Sequence, residues 1–454
     1  MAYSSATRPL GKETPYSLFK RISGGRPYCF LLESAKGGRR TYLGAEIKRV
    51  VREKEGKAEV YEGGRWRVVP GGWEAFLRKN AGRKAAGKSG GFSGGFVGYF
   101  SYDLVRGWVN FSGNSADDLS LPTAYLMEPS SWITIDHVGN TATAYAATQA
   151  DAKSLIECAF KGPLPSEGKH AASSDLLSSF SKEGFKKAVI KTKKYIAAGD
   201  IFQANISQRF SVGFNGDTLS LYRRLTEINP SPYACYIRFP ELTLVSSSPE
   251  LLAKVRGNSI ETRPIAGTRP RGATKKEDTR LSAELLLSQK ERAEHIMLVD
   301  LERNDLGRVC NYGSVKVDEL MVLERYSHVI HIVSHVSGKL REGVDAVDIL
   351  RAVFPGGTIT GCPKVRCMEI IDELEPVRRG PYTGSAGWIG YNGDMELNII
   401  IRTILVADKR AYFQTGAGIV ADSDPEFEFH ETLHKAEALQ KALKTEFKEE
   451  KRKD

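Results

Sequence analysis

The chain has 454 residues, 41% of them hydrophobic, and carries 65 lysines and arginines against 55 aspartates and glutamates, a formal charge of +10. That length suits one large domain or two to three ordinary ones, and no run approaches the roughly 18 consecutive apolar residues of a membrane span. The basic residues are dispersed, without the aromatic interleaving that stacks bases, so the charge points to an anionic small substrate rather than nucleic acid.

In chain order, residues 26–110 read as β-rich, from "PYCFLLESA" through "RRTYLGAEI" and "AEVYEGGRWRVV" to the Gly-rich "KSGGFSGGFVGYFSYDLVR". "TAYLMEPSSWITIDHVGNTATAYAA" predicts a hairpin turning at Gly139-Asn140. Residues 162–178, rich in Pro, Gly and Ser, make the linker candidate. "SKEGFKKAVIKTKKYIAAGD" predicts a helix capped by Ser181 and stopped by Gly199. The second half alternates strands ("YACYIRF", "LTLVSS", "LAKVRG", "YSHVIHIVSHVSG", "AYFQTGAGIV") with amphipathic helices ("RLSAELLLSQKERAEHIMLVDLERND", "HETLHKAEALQKALKTEF"). The antiparallel character of the hairpins favours an α+β layered fold. The opening "MAYSSATRPLGKETPY" lacks the apolar core of a secretory signal, and six scattered cysteines without a C-x-x-C pair suit reduced thiols in the cytoplasm.

Two carboxylate pairs stand out. Glu291 and Glu294 share a face of one predicted helix, and Glu428 and Glu431 repeat the i, i+3 spacing on another. A single such pair reads by default as a solvated helix face. If the two helices converge, four carboxylates repel unless protons or a cation neutralise them, and an all-oxygen set selects a hard ion, Mg²⁺. His430-Glu431-Thr432-Leu433-His434 also matches the H-E-x-x-H pattern of zinc proteases. No histidine follows to complete a zinc site, and the chain runs into a charged tail, so the zinc reading is rejected.

"TRPIAGTRPRG" (262–272) and "FPGGTITGCPK" (354–364) read as anion-binding loops, with ordinary tight turns as the alternative. Tyr382, Gly418 and Arg402 are further candidates, because an arginine inside the apolar strand "IIIRTIL" needs a carboxylate or phosphate to meet it. His331, on the apolar "HVIHIVSHV", is by itself an ordinary core histidine.

"GDIFQANISQRF", "SSSPELL", "PIAGTRPRG", "ERAEHIMLVDLERNDLGRV", "FPGGTITGCPKVRCMEIIDELEP", "YTGSAGWIG", "NIIIRT" and "GAGIVADSDPEFEFHETLHKA" occur together and in order. In these motifs the chain resembles component I of the chorismate-utilising aminases, the anthranilate and aminodeoxychorismate synthases. The resemblance implies a single large α/β/β/α sandwich, with residues 1–165 as the family's N-terminal region and 180–446 as the chorismate-binding catalytic region. It implies Mg²⁺ on Glu291, Glu294, Glu428 and Glu431, and substrate carboxylates on Tyr382, Arg402, Gly418, Thr268 and Thr358, with Lys364 supporting the loop. Glu250 resembles the general acid for the leaving C4 hydroxyl, and His331 the catalytic histidine. Gln203 stands where water-adding relatives carry a lysine base, which implies ammonia as the nucleophile. No glutaminase elbow is present, so ammonia would come from a separate glutamine amidotransferase subunit. "LLES", with Leu32, Glu33 and Ser34, resembles a tryptophan regulatory pocket.

The motif wording is closer to the bacterial aminodeoxychorismate synthases of p-aminobenzoate and folate synthesis. Ala266 stands where many of these carry a lysine nucleophile, and alanine there is usual in anthranilate synthases, the alternative. The expectation is therefore an aminodeoxychorismate synthase component I that works without that lysine.

Overall fold

Alternation of buried and half-buried residues along Thr141–Ala146 makes one face of that strand apolar, and it pairs antiparallel with Ala124–Asp136. The turn between them places Asn140 at φ +49°, a left-handed value that asparagine tolerates. The expected hairpin is therefore present. The computed structural model describes residues 3–34, 38–82, 90–111, 115–166, 168, 172, 176–325 and 329–445. Residues 167, 169–171 and 173–175 of the proposed linker, Ala35 of "LLESA", residues 88–89 of the Gly-rich stretch and residues 326–328 of "YSHVIHIVSHVSG" lie outside the described residues.

Among the described residues, 22 strands join in one network whose ladders are antiparallel, and helices cover it. The α+β expectation holds. The two halves of the chain interleave in this network. Cys29–Glu33 pairs with Tyr233–Arg238, and Gly95–Phe100 pairs with Ser385–Gly390. Gly98 and Gly387 face each other across the second ladder, and a Cβ on either would stand 2.0 Å from a neighbouring strand's carbonyl oxygen. Only glycine lets those strands approach.

The helix Lys182–Ala197 follows its expected cap, Ser181, whose hydroxyl accepts from the Gly184 amide, and Gly199 ends it at φ +82°. "RLSAELLLSQKERAEHIMLVDLERND" differs from expectation, because it forms two helices, Lys275–Leu287 and Gln289–Gly307. Ser288 breaks the run and caps the second helix, its Oγ accepting from the Glu291 amide at 3.3 Å. The Ser-x-x-Glu signature of a helix start was present in the sequence at 288–291. The C-terminal helix likewise starts earlier than "HETLH", at Pro425, with Asp424 as cap. Both carboxylate pairs consequently sit in the first two turns of their helices, where the macrodipole favours negative charge.

"TRPIAGTRPRG" is also corrected, because most of it is strand. Ser259–Arg263 and Ile265–Pro270 both pair with Val329–Lys339, and Gly267, at φ +66°, lies at a register shift. Its arginines are matched by protein carboxylates rather than left for a ligand. Arg263 binds Glu324 at 2.6 Å, Arg269 binds Glu291 at 3.0 Å and Arg271 binds Asp278 at 2.7 Å. Arg402 does not lie within a strand either. It sits at φ +51° between Met395–Ile399 and Thr403–Ala407.

Candidate active site

A cavity of about 580 Å³ opens between the sheet and the helix Pro425–Leu443, and Glu250, Thr268, His331, Thr358, Tyr382 and Arg402 all line it. That volume suits a small ligand. The side chains come from separate elements. Glu250 follows the buried strand Leu242–Ser248, and its backbone carbonyl accepts from the Ile399 amide at 3.0 Å. Thr268 and His331 are register partners on adjacent strands. Thr358 sits in the short 3₁₀ turn Gly357–Ile359.

Burial pushes the Glu250 carboxyl up to about 7, although the Thr358 hydroxyl and the Ile265 amide draw it down. Its Oε1 lies 3.5 Å from the Ile265 amide, and the Thr358 hydroxyl stops short of hydrogen-bonding geometry. A carboxyl poised near neutrality can hold a proton and release it. His331 moves the other way, down to about 4, through burial. Its Nδ1 donates to the Gly267 carbonyl at 3.2 Å, with the Thr268 hydroxyl 3.0 Å away. In the neutral ring Nε2 is then the unprotonated nitrogen. Arg402 donates to the Lys435 carbonyl, which turns its guanidinium toward the helix Pro425–Leu443, and burial lowers its pKa.

Tyr382 rests against a buried framework. Arg379 and Glu375 form an ion pair 2.7 Å long with side chains only 1% and 2% exposed. Arg379 also donates to the carbonyls of Asn205 at 2.6 Å and Ile359 at 2.9 Å, and Glu375 accepts from the amide and hydroxyl of Ser207. This network ties the strand Gln203–Gly213 to the Thr358 turn.

The carboxylate pairs form an adjoining cluster. Gln203 donates to Glu294 at 2.9 Å, and a Cβ on Gly418 would stand 2.5 Å from Gln203 Nε2 and 3.6 Å from Glu294 Oε1. Gly418 is therefore a close-approach position. Burial raises Glu294, and Glu291 and Glu431 raise it further. Burial also raises Glu428, with Glu431 adding to the effect. The two helices thus bring their acidic ends within electrostatic reach of each other. Each carboxylate has a protein partner. Glu291 meets Arg269, Glu294 meets Gln203, Glu428 meets Ser423, and Glu431 meets Lys435 at 2.6 Å. Among the described residues no three His, Cys, Asp or Glu side chains are grouped as the ligands of one ion. His430 bonds instead to Glu426 at 3.0 Å, and His434 faces the cavity, so H-E-x-x-H does not gather as a zinc set. The all-oxygen donor set and the mutual repulsion of its members fit a hard divalent cation.

Other expected residues lie elsewhere. Lys364 is tied to Asp305 and to the Val353 carbonyl, at the base of the 354–364 loop and away from the cavity wall. Ala266 is buried beside Ile265. Leu32, Glu33 and Ser34 line a separate cavity of about 40 Å³ with Tyr42 and Trp388, and Ser34 and Tyr42 also border a neighbouring cavity of about 770 Å³. Lys435 was missed by sequence reasoning. It lines the 580 Å³ cavity, donates to the Gly416 carbonyl at 3.0 Å, and lowers the pKa values of Glu250, Glu294 and Glu428. Its i, i+4 spacing from Glu431 was the available signal.

The pattern that defines chorismate binding enzymes matches residues 27–441. Aminodeoxychorismate synthase component 1 of Bacillus subtilis is 44% identical, covering 96% of this chain and 97% of its own. Anthranilate synthase component 1 of Acetivibrio thermocellus is 42% identical, covering 95% and 93%. Anthranilate synthase component I of Streptococcus pneumoniae superposes with a TM-score of 0.81 at 31% identity, covering 96% of this chain and 99% of that structure. Sequence and fold agree with these likenesses, and the chain belongs to the family of chorismate binding enzymes.

Proposed function

We propose that this chain is the synthase component that aminates chorismate with ammonia to 4-amino-4-deoxychorismate, on the route to p-aminobenzoate and folate. The observation that carries this reading is one cavity lined by both a carboxyl poised near neutrality, Glu250, and an arginine, Arg402. Displacing the C4 hydroxyl of a dianion needs charge compensation and a proton for the leaving oxygen. Arg402, Tyr382 and Thr358 would hold a substrate carboxylate, and Glu250 would give its proton to the C4 oxygen as the C–O bond breaks and water departs. Neutral His331 would accept a hydrogen bond through Nε2. Magnesium, held by Glu291, Glu294, Glu428 and Glu431, some of them through water, would supply a Lewis acid for the ring carboxylate.

Gln203 supports ammonia as the nucleophile. Its Nε2 is engaged by Glu294, while Oε1 is buried without a hydrogen-bond partner among the described residues. A carbonyl oxygen can accept an N–H from ammonia but cannot deprotonate water. Ala266 offers no amine for a covalent route, so ammonia would attack the ring directly. It would come from a glutamine amidotransferase subunit, as the component 1 names of the relatives suggest. Free cysteines, several with thiols raised by burial, suit a reducing cytoplasm.

The second reading, anthranilate synthesis with loss of pyruvate for tryptophan, draws on Ala266 and on the 42% identical relative. The purified chain with chorismate, Mg²⁺ and ammonium separates the two. Fluorescent anthranilate formed without a lyase rejects the preferred product. A product that becomes p-aminobenzoate only after lyase is added supports it.

A further inference from the structure

The helix Gln289–Gly307 carries another acidic pair that this chemistry leaves unused. Glu302 and Asp305 lie eleven residues after Glu291 and Glu294, three helical turns away and within about 20° of the same face. They meet the two ends of the loop that bears Thr358. Glu302 Oε1 accepts from the Gly357 amide at 3.4 Å, and Asp305 accepts from Lys364. Packing there is tight, since a Cβ on Gly357 would stand 2.4 Å from Leu301 Cδ2. Glu302 is only 3% exposed, and its Oε2 is buried with no hydrogen-bond partner among the described residues. Lys364, the cation that acts on Glu302, is bonded to Asp305. A carboxyl this deep without its own cation is stable only when neutral.

We propose that Glu302 is a positioning residue for the general acid: its carboxyl, accepting from the Gly357 amide, holds the Gly357–Thr358 corner beside Glu250 while Asp305 and Lys364 anchor the loop's far end. This rests on the reading of Glu250 given above. Burial raises Glu302 first, Asp305 next, and the charge on Glu250 acts in the same direction, with Lys364 opposing. Arg308 faces Asp305, and the Cys362 thiol lies in the field of Asp305 and Lys364. Ionising Glu302 would put a buried charge beside Asp305 and behind Thr358, a desolvation and like-charge cost that opposes the closed corner although the Gly357 amide and Lys364 favour the charged form. Both Glu250 and Glu302 must then be protonated for turnover.

The test is kcat/KM for chorismate against pH, with free ammonia held constant. The wild type is expected to fall on the alkaline side with a slope steeper than one proton. Glu302→Ala should lose on the order of ten- to a hundredfold, the cost of misplacing a catalytic corner. Glu302→Gln, neutral at every pH, should recover most of that loss and fall with a one-proton slope. Two results overturn the proposal: a one-proton limb in the wild type, or a Glu302→Gln protein with wild-type Tm that is no more active than Glu302→Ala. Should the variants fail to fold, the wild-type slope decides alone. A wild type that consumes no chorismate at any pH overturns the functional reading and the proposal with it. That differs from an active enzyme with a one-proton limb, which overturns the proposal alone.

Discussion

Lys435 stands 2.6 Å from Glu431, one helical turn along Pro425–Leu443, and links that carboxylate to the cavity that Lys435 itself lines. The sequence surrounds Glu431 with histidines, yet its structural partner is the lysine. Lys435 also meets the Gly416 carbonyl and lowers Glu250, Glu294 and Glu428. With Arg269 and Lys290 it is one of the cations that let several carboxylates share one region.

Lys435→Met is therefore expected to cost on the order of a hundredfold in kcat, the scale of removing one positioned charge from a site. Steady-state kinetics at saturating ammonium would check it, with circular dichroism to verify folding.

Glu431 and His434 should separate cleanly. Glu431→Ala is expected to abolish chorismate consumption, and His434→Ala to stay within a few-fold of wild type. Zinc found by elemental analysis, together with the opposite pattern of activities, would sink the carboxylate account.

Glu250 makes a paired prediction about activity and stability. Its folded-state pKa of about 7 lies above the ordinary 4.5, so the folded protein binds this proton more tightly than the unfolded chain. The stability from this group is present below 4.5 and is lost as pH rises toward 7, on the order of 3 kcal/mol in all. Glu250→Gln escapes that loss. At pH 8 it should melt at a higher temperature than the wild type while showing almost no turnover. Activity of the wild type should decline above about pH 7, which a pH–rate profile would reveal.

The buried pair Arg379–Glu375 should be the most sensitive structural contact beneath the site. Arg379→Ala leaves a buried carboxylate unpaired and frees the carbonyls of Asn205 and Ile359. A loss of about 3–5 kcal/mol in denaturant unfolding is expected.

Much of this was legible because it is local. Ser181 capping its helix, the turn at Asn140 and the i, i+3 carboxylate pairs depend on neighbours within a few residues, and backbone geometry alone sets those relations. The split at Ser288 was equally local, and the capping signature at 288–291 marked it, but the longer apolar period masked that signature. Arg402 misled for the opposite reason. An arginine among isoleucines looks like a strand residue, and only the ladders on either side reveal a break with a left-handed residue inside it.

The sequence by itself determined the strand and helix alternation, the acidic pairs and their spacing, and the motif order that identifies the family. Tertiary structure alone decided which charges are compensated and by what. The arginines of 263–271 find carboxylates 7 to 61 residues away, Lys364 turns to Asp305, and Glu302 is buried without a cation of its own. The reason is physical. Spacing along a helix fixes direction, whereas the protonation of a carboxyl depends on desolvation and on charges brought close by strands and helices distant in sequence.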